Sequence, residues 1–277
     1  MRVSAVHTGI IMLLAAISSC KSMVLENRKE CPAQLFIDLE DNENLEGKAS
    51  VRIAVRDSRT SQVMAADTPH LEDLDPDKYS LIIHKTENIV VSGVTGVLRS
   101  KEEGSSRTLT IPSGQEGDPL YLFTSEIPAM DDELIVPAKL RKEHSKITFR
   151  FALEDGAFPY HVSVIGNTSG TDLISGMPIE GPFRHEMEEL SAGVFSCIVP
   201  RQADLLLALE LSPREGLNAD EGFSGILLLW DYLQRLEGFS WDLENLPDIN
   251  LDIDFFHLSI TIGINDWNIA QTISISI

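Results

Sequence analysis

An all-β protein of two antiparallel β-sandwich domains, with one short helix in the second, is the fold class this sequence predicts. Three observations carry that reading. Runs with period-two alternation recur along the chain, turn signals punctuate them, and 277 residues exceed the usual single-domain span, which points to two domains. With 43% hydrophobic and 23% charged residues, the chain can bury a sizeable core and lacks the composition of a disordered one.

The N-terminus stands apart from these strands. Behind the charge of Arg2, Gly9 to Ile17 is an uninterrupted apolar run of nine residues. That is too short for a membrane span, which takes about 20 apolar residues, and it suits the hydrophobic region of an export signal. Gly225 to Trp230 is only six residues long before charge interrupts it, so the reading carries no transmembrane helix. Residues 17–20, Ile-Ser-Ser-Cys, resemble the bacterial lipobox: a branched apolar residue, two small ones that let a peptidase approach, then a thiol able to accept a diacylglyceryl group. Residues 1–19 are therefore read as a lipoprotein signal peptide and Cys20 as the lipid attachment site. Two or three acyl chains pass the threshold for stable membrane attachment.

The strands follow in order. Gln34 to Leu39 opens the series, and Val51 to Arg56 is the clearest case, with Val51, Ile53 and Val55 on one face and Arg52 and Arg56 on the other. Tyr79 to His84, Asn88 to Val94, Lys146 to Leu153, His161 to Ile165, Ala203 to Leu209 and Phe256 to Ile264 read the same way. Glu46-Gly47, Asp75-Pro76-Asp77, Pro112-Ser113-Gly114, Glu154-Asp155-Gly156 and Ser212-Pro213 supply turns between them. The helix falls at Leu229 to Glu237, where Trp230, Leu233 and Leu236 have helical spacing and Gly238 stands at the αL cap position. A charged stretch from Pro137 to Glu143 precedes the strand at Lys146 and places the domain boundary, giving domains of residues 20–141 and 142–277.

Charge and cysteine content narrow the function. Lys and Arg total 22 against 43 Asp and Glu, a formal net charge of −21. Nucleic-acid binding is the class this excludes first, because phosphate affinity rests on Lys and Arg releasing counterions. An anionic lipid face is disfavoured for the same reason. With Cys20 assigned to lipid, Cys31 and Cys197 remain, and they either form one disulfide in an oxidising compartment or stay as two thiols.

No catalytic constellation is visible, and no cofactor is implied. The six histidines outside the signal segment, His70, His84, His144, His161, His185 and His257, form no i, i+4 pair, and His185-Glu186 lacks the second His of a zinc motif. Gly222-Phe223-Ser224-Gly225 and the 166–170 stretch both miss nucleophile-elbow spacing. Three acidic clusters, at Asp38 to Asp41, Glu72 to Asp77 and the alternating Asp248, Asn250, Asp252 and Asp254, could take calcium but lack the Gly and bidentate Glu of a calcium loop, so solvated faces are the alternative.

A set of short strings, in order along the chain, resembles the fimbrillin-associated anchor family of Bacteroidales, minor and anchor subunit lipoproteins of type V pili. They are Glu26 to Pro32 with its Cys-Pro pair, Lys85 with Val91-Ser92-Gly93-Val94, and Asp118-Pro119-Leu120-Tyr121. In the second half they are Val164 to Asn167, Gly170-Thr171-Asp172, Pro178 to Phe183, Pro200-Arg201-Gln202, Gly238 to Trp241 and Ile264 to Trp267. The resemblance implies transthyretin-like, Greek-key β-sandwich domains, lipid attachment to the cell outer membrane and a place at the base of a fimbrium, where the subunit ends polymerisation. One departure is Ala33, at a position where such anchors often carry a second Cys.

Fimbrial shaft subunits are the partners this implies, joined by β-strand addition, in which main-chain bonds give affinity and alternate side chains fill pockets. The tail from Asn268 to Ile277 suits that role, with Ile269, Ile273, Ile275 and Ile277 on one face. Either it donates into a neighbouring subunit or it pairs within its own domain, since an open β-branched strand is an aggregation hazard. A tip or accessory fimbrial subunit is the nearest alternative to an anchor. A surface glycan-binding lipoprotein is another, but aromatic residues make up only 6% of the chain. A lipid-anchored hydrolase would need a carboxylate pair or metal centre that the sequence does not display.

Overall fold

A computed structural model of the chain describes residues 31–39, 42–73, 79–103, 107–152, 158–214, 225–236, 238–254, 259–265 and 273–276. The first half contributes β1 Pro32–Asp38, β2 Arg52–Asp57, β3 Val63–Asp67, β4 Ser80–His84, β5 Thr86–Thr95, β6 Lys101–Glu103, β7 Thr108–Thr110, β8 Tyr121–Ala129, β9 Glu133–Pro137 and β10 Arg141–Lys142. A three-stranded sheet, β4-β1-β9, faces a five-stranded one, β10-β8-β5-β2-β3. Alternation decides what meets between them: Ala33, Leu35 and Ile37 of β1 point inward onto Ile53 and Val55 of β2, Ile89 and Val91 of β5 and Phe123 of β8, all buried. Each of these side chains larger than Ala33 contributes about 1.5–3 kcal/mol by leaving water.

The second half contributes β11 His144–Phe151, β12 Tyr160–Gly166, β13 Gly170–Asp172, β14 Pro178–Ile179, β15 Phe183–Met187, β16 Glu189–Ser191, β17 Val194–Pro200, β18 Ala208–Pro213, β19 Gly225–Leu228, α1 Trp230–Leu233, β20 Asp248–Asp254, β21 Ser259–Asn265 and β22 Ile273–Ser276. A six-stranded sheet, β16-β17-β11-β20-β21-β22, faces a four-stranded one, β15-β12-β18-β19. Its core holds an aromatic cluster that the first lacks: Phe151 stacks on Phe158 at 4.4 Å between centroids, and both meet the edge of Phe195. The helix is a single turn, shorter than the spacing predicts. Leu233 and Leu236 are buried in this core, and Gly238, at φ +83°, takes the left-handed conformation expected after it.

Three sequence expectations are corrected. Ala203 to Leu206 is turn, not strand, because Thr168 Oγ1 accepts from Ala203 N–H and Asp204 from Leu206 N–H, so β18 starts at Ala208. Each sandwich also contains one parallel pair, β1 with β9 and β11 with β20. Arg56, expected in solvent, is 1% exposed. A further sheet, β14-β13-β7-β6, takes two strands from each half and lies over the outer face of β5 and β8, where Val94, Leu122, Leu109 and Leu173 form a third apolar cluster. Arg56 lies under it, donating to Ser92 Oγ at 2.9 Å; burial, opposed by Asp172 and aided by Arg107, lowers its pKa.

Candidate functional site

The candidate surfaces are the two ends of the chain and the junction between the sandwiches. Cys20 lies outside the described residues. The chain enters the first domain through Cys31, whose carbonyl accepts from Lys85 N–H, and β1 then runs as the central strand between β4 and β9. Cys31 is a free, half-buried thiol, and Cys197 a free thiol buried in the second core. No bridge joins them, because each belongs to a different sandwich. Burial, with the Glu116 carboxylate adding to it, pushes the Cys197 thiol far up, which leaves it protonated and unreactive.

At the other end, β22 pairs antiparallel with β21, setting Ile275 opposite Ile260 and Ile273 opposite Ile262. It is the last strand of the six-stranded sheet. Ile269 and Ile277 lie outside the described residues. The neighbouring acidic ladder on β20 is an ion-paired face: Asp248 accepts from Lys142 Nζ at 2.7 Å and from Lys146 N–H at 2.9 Å, and Arg150 reaches Asp252 and Asn250. Among the described residues no group of three or more His, Cys, Asp or Glu is arranged to hold a metal, and no helix is long and apolar enough to cross a membrane.

The junction is what sequence reasoning missed. Arg201 N–H donates to Glu143 O, and its guanidinium spans Glu143, the Trp241 carbonyl and Lys142 O. Glu143, 3% exposed, also faces Arg141 at 3.2 Å. Around this pair, Asn44 donates to Leu140 O and to Asn245 Oδ1, and Gly117 N–H donates to Ile198 O. The His144 ring lies against Tyr121 at 5.2 Å, with Nδ1 3.1 Å from Leu120 O. Burial drives its pKa down to about 4 despite that contact, so it is neutral at pH 7. Below it, β7 pairs with β13, Gly170 opposite Thr110. A Cβ at Gly170 would fall on the Leu109 carbonyl oxygen. A signal existed: Asp118, Gly170-Thr171-Asp172, Arg201-Gln202 and Trp241, all within the ordered strings noted above, converge here.

Solved structures share this overall fold. The fold is that of Bacteroidales fimbrial proteins. The fimbrial anchor protein Mfa2 of Porphyromonas gingivalis superposes with a TM-score of 0.60 at 12% identity, over 87% of this chain and 100% of its own. A Bacteroides thetaiotaomicron protein described as polysaccharide-binding gives 0.61 at 12% identity, over 88% and 98%. A Bacteroides ovatus protein described as an adhesin gives 0.58 at 11%, over 88% and 95%. No family model matches the chain, and no curated protein does.

Proposed function

We propose that this protein is a non-catalytic, lipid-anchored fimbrial subunit that fixes a fimbrium to the cell outer membrane and ends its polymerisation. The observation that carries the reading is the lipobox cysteine, Cys20, twelve residues ahead of β1, the central strand of its sheet. A subunit that keeps this strand keeps its lipid. Its partners are fimbrial shaft subunits joined by β-strand addition, and the 268–277 tail is the segment we assign to that contact. Since β22 pairs with β21 of its own domain in the isolated chain, it would engage a neighbour through its free edge or by leaving β21. The likeness to a fimbrial anchor supports the reading.

Intact-mass and N-terminal analysis of protein from the native outer-membrane fraction tests it. Acylated Cys20 on an otherwise uncut chain is the expected result. A lipid-free species cut after a basic residue would overturn it in favour of a tip or accessory subunit. A glycan-binding role, suggested by one of the similar structures, needs an exposed aromatic platform; burial of Trp241 and packing of Trp230 on the same core count against it.

A further inference from the structure

Each domain receives the chain on a strand that has a parallel neighbour late in the same domain: β9, followed only by the two-residue β10 before the second domain, and β20, followed by β21 and β22. In the first, β1 and β9 pair from Gln34↔Glu133 to Asp38↔Pro137. The ladder is closed by Gln34 N–H donating to Asp132 O at one end and Ala138 N–H donating to Asp38 O at the other. In the second, β11 and β20 pair from Ile147↔Ile249 to Phe151↔Ile253, and Ala152 N–H extends the ladder to Ile253 O. All other pairings between the described strands are antiparallel.

Parallel direction decides how tension acts. A pull on the N-terminal end of β1 and the C-terminal end of β9 runs along the strands in opposite senses, so one must slide past the other. Inter-strand bonds are spaced evenly along a parallel ladder, and sliding loads all of them together. In an antiparallel pair the same two chain positions would stand at one end, and the bonds would part singly. Sliding also drags Leu35 and Ile37 past Leu134 and Val136, each no more than 6% exposed, so core packing resists along with the bonds. The Lys85–Asp132 ion pair ties the start of β9 to the other flank of β1. Pro137 costs this ladder nothing, because alternate N–H groups face β1 and at that end the donor is Ala138.

We propose that the β1–β9 pair is a tension clamp, which carries load between the N-terminal tether and the second domain. The source of the load rests on the anchor reading; the geometry does not. Cys31 offers a native handle, since it is free and half-exposed while Cys197 is buried. In the chain from residue 20 with Cys20→Ser, a second handle is placed by Lys139→Cys, beyond the C-terminal end of β9, or by Asp131→Cys, before its N-terminal end, both at exposed positions. The stretched segments, residues 31–139 and 31–131, are nearly equal in length and differ in pulling direction.

Single-molecule force spectroscopy at one loading rate compares the two, because forced rupture reads the unfolding barrier. The Lys139→Cys variant is expected to rupture at the higher force. Equal forces, or the reverse order, would overturn the clamp. If Asp131→Cys fails to fold, Glu133→Cys supplies a handle at the same end. A protein found unlipidated at Cys20 but stronger in the Lys139→Cys geometry would lose the anchor reading and keep the clamp. A lipidated protein with equal forces would do the opposite.

Discussion

The two domains share one strand plan and use it differently. In the first, the sheets run β4-β1-β9 and β8-β5-β2-β3; in the second, β17-β11-β20 and β19-β18-β12-β15, the same order position for position. Beyond that plan, β9 ends its sheet, whereas β20 is followed by β21 and β22. The outer face of β4-β1-β9 carries Phe36, Ile82 and Ile135, with Ile82 66% and Ile135 71% exposed. The equivalent face of the second domain carries Arg150 paired with Asp252. Topology is thus held by the buried alternation, while the outward positions are free to diverge.

Whether two copies of one plan behave as one unit depends on the junction, and three changes test this. The largest effect is expected from Arg201→Leu. It leaves the buried Glu143 carboxylate without its main partner, which costs about 3–5 kcal/mol, and denaturant unfolding should pass from one transition to two. Acid comes next. His144 is held neutral with a pKa near 4 against an ordinary value of 6.5, so between these values the unfolded chain binds more protons than the folded one. Stability is therefore full above pH 6.5 and falls as pH drops toward 4, by about 3 kcal/mol at about 1.4 kcal/mol per unit. Denaturant midpoints measured across that range, with His144→Phe as the variant that should lose the slope, check the sign. Gly170→Ala is the most local: its Cβ would fall on the Leu109 backbone carbonyl oxygen, so β7 and β13 of the shared sheet must part to admit it. Calorimetry should show a loss of stability while each domain core keeps its own signature.

Most of the plan was legible in the sequence. Strands with a buried and an exposed face, such as β1, β2, β4 and β11, showed themselves by alternation, because period two follows from the pleat. The shared sheet did not, since Lys101–Glu103, Gly170–Asp172 and Pro178–Ile179 are too short to show a period, and β7 meets β13 some sixty residues away. For the same reason Arg56 read as a solvent residue: nothing in its own strand announces that another segment will cover it. At the candidate site, the alternation of the tail was visible from its isoleucines, but β21 as its partner was not, because a strand pattern specifies a face and not a neighbour.

The parallel pairs also set an order of assembly. Gln34 meets Glu133 and Ile147 meets Ile249, so each sandwich is sealed by strands about a hundred residues apart in the chain. Contacts this distant make folding slow, because loop-closure entropy must be overcome before they form. Neither domain can be finished until its final strand has emerged, so a chain stalled or clipped before that point yields an unsealed sandwich instead of a shorter working one.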